Sequence, residues 1–348
     1  MPTDSNIAAH DPNGCLFIDT WPKPVWPPNP WWLSPDVIMT TKPSDPSDVY
    51  PGSNTTSVAI SWTPASCTIP SELAIIFDLY IGDPTLPMTP GGTLGTLASA
   101  YPPPNGVPIS AGQSNVATTV SWDSSSIPHL SQPHHGCLLA RVYPFGATPQ
   151  TGDITDYAEY DQHYAQHNCT VNTSDGGAII KIPIRNGTLL QGATLVSMHA
   201  VPDLAPAKIT QDAVLPSLQL HPDFKQLATT PLKKVDFDLS AFKTQPLPRL
   251  EDVQASIGNE ARALIEDREA AVRKLGGTPV RTVLPANFFA TFNFTADLTG
   301  ATVGDAHIYH ITQLNAAGQH YGAITVVILI TPPPAVLRAP TNVVAQVK

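Results

Sequence analysis

The chain has 348 residues, 42% of them hydrophobic and only 13% charged, which supplies enough apolar surface for buried cores and argues against wholesale disorder. Its formal charge of −10 disfavours nucleic acid and anionic lipid, both of which call for basic patches. No apolar run approaches the roughly 20 residues that cross a bilayer as a helix, and MPTDSNIAAHDPNG lacks the basic and apolar regions of a conventional signal peptide, so neither membrane insertion nor a standard leader is expected.

The 38 prolines argue against a helical protein and for short strands joined by tight connections. Residues 20–34 read TWPKPVWPPNPWWLS, and this alternation of proline with tryptophan predicts an extended, polyproline-like N-terminal arm over residues 1–35. Trp21, Trp26, Trp31 and Trp32 are too apolar to leave in water without a reason. They either staple the arm to the first domain, which the rarity of dense exposed tryptophan patches favours, or form a docking strip for a partner or a sugar.

Strand candidates follow at short spacing: DVIMTT (36–41), TTSVAISWTP (55–64), ELAIIFDLYIG (72–82), ATTVSW (117–122), GCLLARVYP (136–144) and HYAQHNCTV (163–171). In VAISW, Val58, Ile60 and Trp62 share one face, as a half-buried strand requires. This spacing predicts an immunoglobulin-like β-sandwich over residues 36–174. A Ser-Asp-Gly-Gly turn at 174–177 opens a second series, AIIKIPIRN (178–186), ATLVSMHAV (193–201) and VDFDLSAF (235–242).

Between Leu250 and Leu275 the pattern changes. Leu250, Val253, Ile257, Ala261, Leu264 and Leu275 recur at helical spacing, Glu269 and Arg273 form an i,i+4 pair, and Gly276-Gly277 is a stop signal. Strands resume with FFATFNFTADL (288–298) and with a pair around Asn315-Ala-Ala-Gly318 (305–330), where Ile308, His310 and Thr312 lie on one face and His307, Tyr309 and Ile311 on the other. The expectation is an all-β protein of two tandem immunoglobulin-like β-sandwiches. The second, over residues 175–331, carries one inserted amphipathic helix near 250–275. Residues 332–348 form an extended tail whose NVVAQV stretch either adds to a neighbour's sheet edge or frays.

PWWLSPDVIM, HHGCLLARVYP and YAQHN together resemble a CARDB-like immunoglobulin-like module of bacterial secreted and surface proteins, and GDAHIYHITQ followed by GAITVVI resembles another sandwich module of such proteins. The resemblance implies a sandwich fold and a supporting, non-catalytic role, with no catalytic residue to carry over. In those modules arginine often stands where this chain has His167.

If HYAQHNCTV is one strand antiparallel to GCLLARV, Cys169 comes near Cys137, and His167 near His134 and His135. That grouping admits a zinc site, a disulfide, or two buried thiols. Without paired metal-ligand spacings, the structural readings are preferred over the metal. Other chemistry is sparse. The chain has no G-x-S-x-G, H-E-x-x-H, P-loop or G-x-G-x-x-G signature. Asp236 and Asp238 read as solvated charges on a strand flank. Asp153, Asp156, Glu159 and Asp161 read as an acidic loop rather than a calcium site, and His310 as a packed or rim residue rather than a general base. The function expected is therefore that of a non-enzymatic structural or interaction protein without a cofactor. It would contact other copies of itself or a protein partner in a repeating assembly or at a surface. A glycan-binding or adhesin module using the tryptophans is the alternative, and a metal-dependent His/Cys enzyme ranks third.

Overall fold

The computed structural model describes residues 3–11, 14–18, 25–41, 52–62, 72–82, 95–101, 107–110, 112–113, 116–126, 136–151, 155–174, 178–185, 194–239, 249–284 and 289–333. It is mostly β, with several sheets and few helices. After a short helix α1 (Ser5–Ala8) come β1 (Leu16–Ile18), β2 (Val37–Met39), β3 (Ser53–Trp62), β4 (Glu72–Gly82), β5 (Gly95–Tyr101), β6 (Val107–Ser110), β7 (Val116–Asp123) and β8 (Cys137–Pro144). Helix α2 (Thr155–Tyr160) leads to β9 (Tyr164–His167).

Strand β3 is the middle of sheet A, with β1 and β2 along one edge and β7 along the other. Sheet B runs β5-β4-β8-β9, with β6 also on β4. The alternation read in VAISW holds: Val58, Ile60 and Trp62 are buried in a cluster with Phe77, Leu79, Leu138 and Val142 of sheet B.

The second half contains β10 (Cys169–Ser174), β11 (Ala178–Arg185), β12 (Thr194–Pro202), α3 (Lys208–Leu218), β13 (Gln226–Leu227), β14 (Lys234–Asp238), α4 (Leu250–Ser256), α5 (Asn259–Lys274), β15 (Thr278–Leu284), β16 (Phe289–Asp297), β17 (Asp305–Leu314) and β18 (His320–Ile330). Sheet C runs β10-β18-β17-β12-β15, and sheet D runs β11-β16-β14. Ile182, Met198, Phe292, Phe294, Tyr309, Ile311 and Ile328 are among the residues of the core shared by these two sheets. As the two-residue period requires, Ile308 and Ala306 on β17 point the other way, into a third cluster.

That third cluster joins the halves. It contains Trp26, Trp31, Trp32 and Leu33 together with Tyr80, Leu139 and Tyr164 from the first half and Val214, Ile308, Val327 and Leu329 from the second. The tryptophans meet edge to face, Trp26 with Trp32 at 4.8 Å and Trp31 with Trp32 at 5.4 Å between ring centroids.

Several expectations need correction. The described part of the first 35 residues is not extended arm throughout: β1 pairs with β3 and residues 26–28 form a turn, while Trp26, Trp31 and Trp32 are buried, as the preferred stapled reading has it. Burying that much indole surface outweighs the preference of proline-rich chain for an extended, solvated path. HYAQHNCTV is not one strand. It breaks at Asn168, with β9 in sheet B and β10 in sheet C, so the switch of sheet falls there rather than at 174–177. Strand β10 pairs in parallel with β18, and the Asn168 amide side chain donates to the Ala323 carbonyl at 2.5 Å.

The segment 250–275 is two helices interrupted at Ile257 and Gly258. The buried positions of α5 are Ile265, Glu269 and Val272, while Leu264 and Leu275 stay 40% and 36% exposed. The Gly276-Gly277 stop is in place. Gly276 takes φ +75°, and a side chain on Gly277 would meet the Ala200 carbonyl at 2.7 Å. Helix α3, with Pro216 inside it, was not expected at all, because proline density was read as a bar to helix. The tail after Pro333 lies outside the described residues.

Truncating Trp32, which is fully buried, should cost about 3–5 kcal/mol. In urea unfolding, Trp32→Ala is expected to lower the midpoint strongly, whereas Leu264→Ala should cost about 1 kcal/mol or less.

Candidate functional site

The chemistry-bearing side chains form several buried knots, two of them along the seam between the halves. Asp203, at the end of β12, accepts from His310 Nε2 at 3.0 Å. His310 Nδ1 meets the Thr325 hydroxyl at 3.0 Å, and the Trp32 indole N–H donates to that same hydroxyl at 3.1 Å. Trp26 and Trp32 pack edge-on against the imidazole at 5.3 and 5.8 Å. An acid–imidazole–hydroxyl line of this kind can activate a nucleophile only where substrate reaches the hydroxyl. Here Thr325 is fully buried and holds an indole, so the line fastens the seam; His310 is a packed residue, as expected.

A second line lies under α5. Ser197 Oγ donates to Glu269 Oε1 at 2.8 Å, and His199 Nε2 stands 3.1 Å from the serine Oγ. The serine's one proton goes to the carboxylate, so the imidazole must donate to the oxygen rather than take its proton. Thr312 Oγ1 then donates to His199 Nδ1 at 3.3 Å. Burial lowers the His199 pKa to about 4, which keeps it neutral. Arg281 and Arg273 pair with Glu269; against the desolvation of its carboxyl, hydrogen bonds from Arg281 and Ser197 hold it below the usual range. The serine is therefore not activated as a nucleophile.

Two further knots tie down the N-terminal segment and α2. His163 bridges Asp161 Oδ1 at 2.7 Å and Asp11 Oδ2 at 3.1 Å. Burial opposes its charge, but the two carboxylates prevail and raise its pKa to about 9. Asp4 caps α1 through Asn6 and Ile7 N–H, receives the Tyr164 hydroxyl, and its own N–H donates to Asp161. At the seam, His320 pairs through Nδ1 with Glu159 Oε2 at 3.0 Å and receives Arg268 at Nε2 at 2.7 Å. Burial lowers its pKa, and the facing Arg268 adds to this against the pull of Glu159. In sheet B, Asp78 and Arg141 form a buried ion pair under Tyr80 and Tyr143; burial raises both hydroxyl pKa values, that of Tyr143 to about 12.

The residues singled out in the sequence scatter among these knots. Trp26, Trp31 and Trp32 are 7%, 1% and 0% exposed, so none offers a ring face to a sugar; Trp21 lies outside the described residues. His134 and His135 also lie outside them. Cys137 and Cys169 are buried thiols rather than half-cystines, and Gln166 Nε2 donates to Cys137 Sγ at 2.9 Å. Cys15, by contrast, is disulfide-bonded. His167 Nδ1 lies 2.6 Å from the Ser34 carbonyl. Because the chain turns into sheet C at Asn168, His167 and Cys169 sit in different sheets, while Cys137 and Cys169 both belong to the cluster that joins the halves. Among the described residues no set of three or more His, Cys, Asp and Glu is placed to hold a metal ion.

The acidic connection splits as well: Glu159 goes to His320 and Asp161 to His163, while Asp153 and the Asp156 side chain lie outside the described residues. Asp236 and Asp238 are on the exposed face of β14, and Asp236 pairs with Lys234 at 3.4 Å. The sequence reading missed the Asp78–Arg141 pair, although its signal was present. Each is a charge inside an otherwise apolar strand, IIFDLYIG and CLLARVYP, and such charges need a partner.

These knots set a pH profile. The His163 contribution, on the order of 3 kcal/mol, is complete below pH 6.5 and disappears as pH rises through about 9. His199 and His320, both depressed, penalise the fold as pH falls below 6.5, and the lowered Asp11 and Asp161 add a further loss in stronger acid. Urea unfolding across pH should thus show maximal stability near pH 6.5, and His163→Gln should flatten the decline between about pH 7 and 9.

No protein-family model matches the chain, and no curated protein matches its sequence. Among solved structures, a β-glucuronidase of Bacteroides uniformis aligns with 83% of this chain at 9% identity and a TM-score of 0.19. The chain spans 28% of that enzyme's length, and a likeness of this extent establishes no shared fold or activity.

Proposed function

We propose that this chain is a non-catalytic structural and interaction protein made of two tandem immunoglobulin-like β-sandwiches, sheets A with B and sheets C with D, and that it serves as a subunit of a repeating assembly. The observation that carries this reading is where the reactive side chains are used. Ser197, His199, His310, Thr325 and His320 are all buried: His310, Thr325 and His320 bond or pack across the tryptophan seam and hold the halves together, while Ser197 and His199 fasten α5 to β12 within the second half.

Sheet D supports the assembly part. Strand β11 pairs with β16 on one edge, and among the described residues no strand covers its other edge. Ile179 on that strand is 69% exposed. An eight-residue edge with an apolar outward side chain is suited to accepting a strand from another copy. The C-terminal segment is the proposed donor, since NVVAQV has strand-forming composition.

Size-exclusion chromatography with light scattering tests this on the full chain and on a chain ending at residue 333. The N-terminal segment must stay, because its tryptophans are core residues. The full chain should form concentration-dependent multimers and the trimmed chain a monomer. A full chain that remains monomeric at high concentration would refute the assembly.

A further inference from the structure

The two helices between β14 and β15 do not close equally on sheet C. Helix α5 packs through Ile265, Glu269 and Val272, whereas α4 buries none of its seven residues. Between α4, the start of α5 and the face of β12 and β15 lies a cavity of about 440 Å³, within the roughly 300–1,000 Å³ that small-molecule sites span. Leu195 and Ile265, both 1% exposed, give it a buried apolar floor. Glu251, Ala255 and Glu266 line it from exposed positions, so the cavity opens to solvent.

Four charged residues line this cavity, two of each sign: Arg262 and Arg281, Glu251 and Glu266. Each guanidinium is held by part of its donor set. Arg281 gives Nε and Nη2 to Glu269 at 2.7 and 3.0 Å, and Arg262 gives Nη2 to the Gln254 carbonyl at 2.9 Å, near the end of α4. Their other N–H groups have no hydrogen-bond partner among the described residues. The two carboxylates line the cavity without pairing. Neither Glu251 nor Glu266 forms an ion pair with a described residue, although the charge of Glu266 adds to Glu269 in raising the Arg281 pKa. Opposite charges that share a cavity without touching leave unmet donors and acceptors on its walls.

We infer that this cavity binds a free α-amino acid with an apolar side chain, its carboxylate taken by Arg262 and Arg281, its ammonium by Glu251 and Glu266, and its side chain by Leu195 and Ile265. A dianion would meet the two carboxylates and a dication the two guanidiniums, whereas a zwitterion satisfies both pairs with no net charge. Guanidinium suits a carboxylate because its planar fork matches the two oxygens. A ligand without an apolar part would gain nothing from the floor. Two carboxylates set beside two guanidiniums also make a poor cation site. The cavity involves neither strand β11 nor the C-terminal segment, so the inference stands apart from self-association.

The test titrates the full chain with leucine and phenylalanine, followed by calorimetry and saturation-transfer NMR. Leucinol and isocaproate serve as leucine analogues without the carboxylate and without the ammonium. At least one of the two amino acids should bind saturably, and both analogues should bind more than about threefold more weakly than leucine. Glu266→Gln, at an exposed position, should weaken amino-acid binding by about threefold to tenfold. Ala255→Trp, which places an indole at the open side of the cavity, should abolish it, and both variants should keep the thermal midpoint of the parent. The inference falls if neither amino acid binds at up to ~10 mM, if either analogue binds within about threefold of leucine, or if either substitution leaves the affinity unchanged.

Discussion

The indole of Trp32, donating to Thr325 while packed between Trp26, Trp31 and His310, is the contact on which the arrangement of the two halves depends. A buried indole removes about 150–250 Å² from water, so three of them account for roughly 600 Å². At about 25 cal/mol per Å² that is on the order of 15 kcal/mol as an upper bound, comparable with a whole interdomain interface. Sheets that would otherwise move as separate units are thereby set against one another.

Around this apolar wedge the polar groups supply direction. Asp203, His310 and Thr325 orient one side of it, and Glu159, His320 and Arg268 the other. Buried ion pairs contribute little net stability, because the desolvation of both partners offsets most of their attraction, but losing one partner strands the other at a cost of about 3–5 kcal/mol. Such groups penalise every packing except the one that satisfies them all. This accounts for a seam whose histidines, His310 and His320, are buried.

Much of the strand layout was legible because alternation is local. Val58, Ile60 and Trp62, and the two faces of β17, follow from residue spacing alone. The break at Asn168 was not legible, since it is imposed by pairing with β18, some 155 residues further along. That one turn puts His167 and Cys169 in different sheets. The helices show the same limit: the 3.6-residue pattern located α5, but its buried face runs through Glu269, whose partner Arg281 lies on β15. Stapling by tryptophan was readable from the cost of exposing indoles, whereas its target, the second half as well as the first, was not.

The Trp32–Thr325 contact joins residues 293 positions apart. A chain emerging from the ribosome makes its tryptophan-rich segment long before the strand that covers it. Until residue 325 is synthesised, those indoles have no second wall and the first sheets present an unfinished apolar flank. The tryptophans thus spend the making of nearly three hundred residues without their mate.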